Sequence, residues 1–216
     1  MYKLFQFIID IFCPRFCVVC RKYGEYVCDT CGEDLLFCAP EAVKLGVTTN
    51  YLDEVWALGA YQGMIRTLTH EFKYKSVKDL ARVGAYYLYH FTDLPEVDYL
   101  ACIPIHHRRH KERGFNQSRE LAKYLADFSQ IKFVPFLKRD LYREKQVLVK
   151  DKKSREKNVR SVFSMNVVAQ NYDLKGKKVL LIDDVVTTGA TINECARILK
   201  KVGVAEVYGL CLAHGT

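Results

Sequence analysis

Two hydrophobic periods alternate along this chain, and their order predicts its elements. Lys178-Val-Leu-Leu-Ile-Asp183 is apolar without alternation, the pattern of a strand covered on both faces. Val55 to Tyr61, Tyr99 to Ile103, Phe133 to Phe136 (interrupted at Pro135), Ser161 to Met165 and Ala205 to Leu212 also read as strands. Apolar residues at helical spacing fill 1–12, 64–91 with a break near Ser76, Gln117 to Phe128, and Thr188 to Val202 ahead of Gly203. Lys138 to Asn158 is basic and nearly free of pattern, with the length of a functional lid. Strands alternating with helices predict an α/β fold, a doubly wound parallel sheet. The amphipathic segment 1–12 is expected to pack on the body, with peripheral membrane contact as the alternative.

Composition narrows the class. Half of the 216 residues are hydrophobic and 27% are charged, which favours a packed core over disorder. The net charge of +8 is unevenly placed: residues 106–160 hold 17 Lys and Arg against 7 Asp and Glu, and the remainder holds 16 against 18. Such a basic segment attracts phosphates, on a nucleotide-like ligand or along a nucleic acid. No segment reaches the roughly 20 apolar residues of a membrane span, so no stable membrane insertion is expected. The N-terminal apolar run is short, is interrupted by Gln6 and Asp10, and lacks a small-residue cleavage site. A cytoplasmic location is expected.

Six of nine cysteines lie before residue 40. In a reducing compartment, paired cysteines read as metal ligands. Cys17-Val-Val-Cys20 and Cys28-Asp-Thr-Cys31 can each deliver two thiolates to one tetrahedral Zn²⁺, leaving no open position for chemistry. A redox dithiol is the alternative, weakened because neither pair opens an evident helix after a strand. Cys13 and Cys38 are either substitute ligands or spare core thiols.

The segment Asp183-Asp-Val-Val-Thr-Thr-Gly-Ala-Thr191 carries the sharpest chemistry. Two carboxylates end a buried strand, and a turn of Val185, Val186, Thr187, Thr188, Gly189, Ala190 and Thr191 opens a helix. Backbone N–H groups and threonine hydroxyls there can wrap a phosphate under a favourable dipole. Gly189 permits close backbone approach. Asp183 and Asp184 can accept hydrogen bonds from vicinal ribose hydroxyls and help place Mg²⁺ through water. Mere helix capping leaves the desolvation and repulsion of two adjacent acids uncompensated. No GxxxxGK[ST] pattern exists, which disfavours a nucleotide hydrolase.

Cys102-Ile-Pro-Ile-His-His-Arg-Arg-His-Lys-Glu-Arg-Gly-Phe-Asn-Gln-Ser118 runs from a strand into a basic loop. Arginine's planar fork suits polyanionic oxygens. His106, His107 and His110 lack an acidic cluster that would support a metal site, so phosphate contact or plain exposure is expected. Phe115 either stacks on a base or anchors the next helix.

The Asp183–Thr191 segment resembles the signature of type I phosphoribosyltransferases, and the Pro104–Gln117 segment resembles the ComF family. So do Leu137-Lys-Arg139 and Arg155-Glu-Lys-Asn158-Val-Arg160. The resemblance implies a zinc ribbon ahead of a phosphoribosyltransferase-like domain, divided as residues 1–50 and 51–216. It implies 5-phosphoribosyl-1-pyrophosphate with Mg²⁺ as ligand. Asp183, Asp184 and Arg113 are then the candidate catalytic residues. His106, Arg108, Arg109, the 185–191 loop and a lid of Gln146, Arg155 and Asn158 would bind substrate. Purine-salvage members place an aspartate where Thr187 stands, so purine salvage is not expected. The family's setting implies DNA uptake beside a DNA-translocating helicase. The enzyme reading competes with a single-stranded-DNA-binding module built on the same fold.

Overall fold

A computed structural model describes residues 14–38, 43–45, 50–74, 79–139 and 162–215, the side chains of 36–38 and 74 excepted. The elements run α1 (Asp29–Cys38), β1 (Val43–Lys44), β2 (Glu54–Ala60), α2 (Gly63–Tyr74), α3 (Leu80–Phe91), β3 (Tyr99–Cys102), α4 (His107–Arg113) and α5 (Gln117–Ser129). They continue with β4 (Leu137–Arg139), β5 (Phe163–Met165), a 3-10 turn (Val167–Asn171), β6 (Lys178–Val186), α6 (Ala190–Lys201) and β7 (Glu206–His214).

The main sheet has the order β1-β2-β7-β6-β3, and β4 pairs with β5 in a separate antiparallel ribbon. β2, β7, β6 and β3 are mutually parallel, and β1 joins the edge antiparallel. The apolar run of β6 is explained by this position. Leu180 and Ile182 face a cluster containing Leu68 and Phe72 of α2, Leu88 of α3 and Leu121 and Leu125 of α5. Val179 and Leu181 face the opposite cluster, with Ile192, Cys195 and Leu199 of α6 and Phe136, Leu137 and Phe163 around the ribbon. Helices cover both faces, as the doubly wound reading requires. Cys102, Cys195 and Cys211 are buried in these layers as small hydrophobes.

The cysteine module leans on the first layer. Val18 and Leu35 belong to the same cluster as Leu58, Leu68 and Phe72. Tyr26 Oη donates to Asp79 Oδ2 at 3.2 Å. The sequence on either side of residue 50 therefore packs around a shared core, and β1 lends that core an edge strand.

Several expected boundaries shift. β6 continues three residues past Asp183. Phe133 makes only an isolated bridge to Leu100, and strand geometry begins at Leu137; the run through Pro135, which has no N–H to donate, carries no ladder. Lys138 and Arg139 belong to β4 rather than to a lid. The rest of the expected lid, with Gln146, Arg155 and Asn158, lies outside the described residues, as do the 1–12 helix, Cys13 and the Cys38 side chain. Among the described residues no helix is long and apolar enough to cross a membrane.

Candidate active site

The carboxyl ends of β3 and β6 face a cleft of about 360 Å³. Parallel sheets place ligands at this edge because the connecting loops diverge there. Asp183, Asp184, Val185, Thr187 and Thr191 line one side, and Pro104, His106, Arg109, Arg113 and Asn116 line the other. The two segments singled out by sequence thus meet across one cavity. Val186, Thr188, Gly189 and Ala190 line an adjoining pit of about 50 Å³ in the turn ahead of α6. Gly189 caps α6 with a left-handed φ of 73°, a conformation that costs a residue with a Cβ. Val186 itself is buried against the second core layer.

The carboxylates are unlike one another. Asp183 Oδ1 accepts from the Ser118 hydroxyl at 3.0 Å and from the Asp184 backbone N–H at 2.8 Å. Burial and the neighbouring Asp184 charge nevertheless push Asp183 up to about 8. Asp184 Oδ1 accepts from Val185 N at 2.8 Å. Its Oδ2 stands 3.1 Å from the Lys73 ammonium, with both side chains largely out of solvent, at 14% and 17% exposure. An acid already paired to an ammonium, beside a part-buried acid that accepts from Ser118 and a backbone N–H, is a poor donor set for a divalent ion. The residues present therefore do not fit a protein-held Mg²⁺ at these carboxylates.

The basic segment is folded, not a loop. Residues His107–Arg113 form α4, capped by His106, whose Nδ1 accepts from Arg108 N at 3.0 Å. None of the helix is buried. This helix separates the arginines. Arg109 and Arg113 line the cleft, Arg113 also donating to Gln117 Oε1 at 3.1 Å. Arg108 is not brought to the cleft: its Nε donates to Glu112 Oε1 at 3.1 Å on an exposed face. His107 stacks on His106 at 4.6 Å between centroids. Phe115 is buried 5.6 Å from Phe72, so it anchors the helix junction and offers no stacking face.

Sequence reasoning missed Lys73, Ser118 and Arg139 as cleft residues. Ser118 follows directly on the Arg-Gly-Phe-Asn-Gln run, which was the available signal. Arg139 fell inside the expected lid and a segment noted for its resemblance, without being singled out for the cleft. Nothing local marks Lys73.

The four module sulfurs lie within 4.8 Å of one another, the geometry of a tetrahedral site. Cys17 and Cys20 sit on a knuckle closed by Cys17 N to Lys22 O at 2.8 Å and Arg21 N to Cys17 O at 2.9 Å. The second pair departs from the expected second knuckle, because Cys28 immediately precedes α1 and Cys31 is in its first turn. Positions three apart at a helix start share a face, so this pair also converges. Burial opposes ionisation of Cys17, but N–H groups of Cys20, Cys28 and Val19 outweigh it and draw the thiol down to about 6. A cluster with four thiols and one pre-stabilised thiolate fits Zn²⁺, which would be structural here.

Residues 112–215 match the phosphoribosyl transferase domain model. Competence protein F of Haemophilus influenzae is 29% identical over 214 residues, covering 91% of this chain and 90% of that protein. The chain is a homologue of Competence protein F with a phosphoribosyl transferase domain. DNA utilization protein YhgH of Escherichia coli K12 is 31% identical over 124 residues, which span 57% of this chain and 52% of that one. A solved glutamine phosphoribosylpyrophosphate amidotransferase from B. subtilis superposes on 66% of the chain and 30% of its own length, at 20% identity and a TM-score of 0.47. In this chain, Asp183, Asp184 and the 185–191 loop fall inside the matched domain, while Lys73, His106 and Arg109 precede it.

Proposed function

We propose that the cleft binds 5-phosphoribosyl-1-pyrophosphate and that the protein transfers its phosphoribosyl group to an acceptor in a role in DNA uptake, its relatives being named for competence and DNA utilization. The observation carrying this reading is the convergence of the Thr187–Thr191 turn, the Asp183–Asp184 pair and Arg109 and Arg113 of α4 on the cleft and its adjoining pit. The turn takes the 5′-phosphate through backbone N–H groups and hydroxyls. Asp184 and Asp183 accept from the ribose hydroxyls, and Arg109 and Arg113 take the pyrophosphate. Mg²⁺ bound by the ligand itself would supply charge neutralisation to the pyrophosphate. Arg113 then stabilises charge developing on the departing group.

A second reading has its own support in the exposed face of α4. His107, Arg108, His110 and Lys111 all point to solvent beside the cleft. Such a face suits a single-stranded nucleic-acid backbone, and a DNA-translocating helicase would be the natural source of that strand.

Calorimetric titration of zinc-loaded protein with 5-phosphoribosyl-1-pyrophosphate and Mg²⁺ tests the first reading. Saturable binding to wild type, lost in Asp183→Ala/Asp184→Ala, supports it. Absence of binding to wild type overturns it, and single-stranded DNA that binds the double variant as well as wild type then supports the second.

A further inference from the structure

Among the described residues Lys73 is the one lysine that lines the cleft, and it enters from α2, outside the matched domain. Its placement is set by packing. The preceding residue, Phe72, is fully buried and meets Phe115 at 5.6 Å, which fixes the end of α2 against the start of α5. The Lys73 stem is then directed past the Tyr61 ring, with Nζ 6.0 Å from its centroid, to within 3.1 Å of Asp184 Oδ2. At 17% exposure this is not a surface lysine that samples a neighbour by chance.

We propose that Lys73 is a specificity-determining residue that takes the place of a divalent cation at Asp184, so that the cleft accepts a polyphosphate anion without a metal held by the protein. The inference rests on the phosphate-site reading of the cleft and concerns only its ionic requirement.

Charge and position support it. Lys73, Arg109, Arg113 and Arg139 face two carboxylates, one of which Lys73 already neutralises. A hydrated Mg²⁺ approaching Asp184 meets an ammonium in contact with the same oxygen, and like charges at that spacing repel. A polyanion meets the opposite field: it gains the ammonium as a further donor while Asp184 stays compensated.

Inorganic pyrophosphate is the probe, because it lacks ribose and so does not depend on the acids as hydroxyl acceptors. Titrations are run by calorimetry on zinc-loaded wild type, Lys73→Met and Lys73→Arg, with Mg²⁺ and with Mg²⁺ kept below micromolar by a chelator that spares the bound zinc. Wild type is expected to bind with affinities within about threefold in the two conditions, and Lys73→Met to lose about tenfold or more without Mg²⁺ and recover with it. Lys73→Arg should retain metal-free binding. Mn²⁺ alone should bind Lys73→Met and not wild type. Wild-type binding that requires Mg²⁺ overturns the inference while leaving the phosphate site standing, and this arm needs no variant to fold. Equal metal-free binding by Lys73→Met and wild type overturns it as well. No binding by wild type in either condition overturns the phosphate-site reading, and the inference with it.

Discussion

Ser118 Oγ donates to Asp183 Oδ1 across 3.0 Å, tying the first turn of α5 to the end of β6. The bond favours the ionised acid, yet burial and the adjacent Asp184 charge prevail and hold Asp183 near 8 instead of its ordinary 3.8. A folded-state value raised above the unfolded one means that the native protein keeps a proton that the unfolded chain releases. Stability is therefore full below the unfolded value and falls as pH rises toward the folded one.

Asp183→Asn removes that titration while keeping an oxygen for Ser118. Its advantage over wild type in thermal unfolding should be absent near pH 4 and grow up to about pH 8, with a slope no steeper than about 1.4 kcal/mol per pH unit for one proton. A difference that stays flat across that range would show that Asp183 ionises normally. Ser118→Ala should act oppositely, extending the wild-type decline to higher pH by moving Asp183 higher still.

Arg113 and Arg108 offer a matched comparison on one short helix. Arg113 lines the cleft, and Arg108 is turned away to Glu112. Arg113→Ala should weaken pyrophosphate binding about tenfold or more, the scale of losing a charge-assisted contact. Arg108→Ala should leave it within about twofold, since an exposed pair contributes little. If single-stranded DNA is the ligand of the exposed face, Arg108→Ala lowers that affinity and flattens its salt dependence. Equal losses of pyrophosphate affinity in both variants would contradict the geometry of α4.

Legibility followed the range of the interaction. β6 was plain because burial on both faces removes polar residues from consecutive positions, and the phosphate turn was plain because its chemistry is contiguous. The strand end was misread by three residues because Asp183 and Asp184 suggest termination, whereas the ladder continues through Val185 to Ala213 and Val186 to His214. α4 was invisible to periodicity, since none of its seven residues is buried. It is held by its caps, His106 at one end and a Gly114 with φ 77° at the other. The thiol spacing announced a metal site, but the helix opened by Cys28 was masked by Gly32 in its first turn, a weak helix former. Lys73 was beyond reach altogether: its partner, Asp184, is a tertiary neighbour, brought beside it by the packing of α2 that includes the Phe72–Phe115 contact.

The four-thiol cluster predicts one bound Zn²⁺ per chain, and Cys20 is the residue with which to test it. Cys17, Cys28 and Cys31 are buried, so replacing them also disturbs packing, whereas Cys20 is exposed. Cys20→Ser should release the metal in a chelator competition assay. Because Val18 and Leu35 of the same module belong to the main core, loss of about 2 kcal/mol of module stability should lower Tm by about 4–8 °C. Metal content unchanged in Cys20→Ser would exclude it from the ligand set.

The last strand also supports the phosphate turn from below. Gly215 N donates to Val186 O at 2.7 Å, which brings the chain directly under Thr187. A Cβ at 215 would lie 2.8 Å from Thr187 Cγ2 and 3.3 Å from its Cβ, inside normal contact distance. Gly215→Ala must therefore displace Thr187 and with it the start of the turn, while touching neither core layer. Affinity for ribose 5-phosphate should fall several-fold, with Tm changed by less than about 2 °C, because the strain is local and lies past the end of β7. Were affinity to stay at the wild-type value, Thr187 would not be part of the phosphate contact, and the anion would instead be held by the backbone from Thr188 to Thr191.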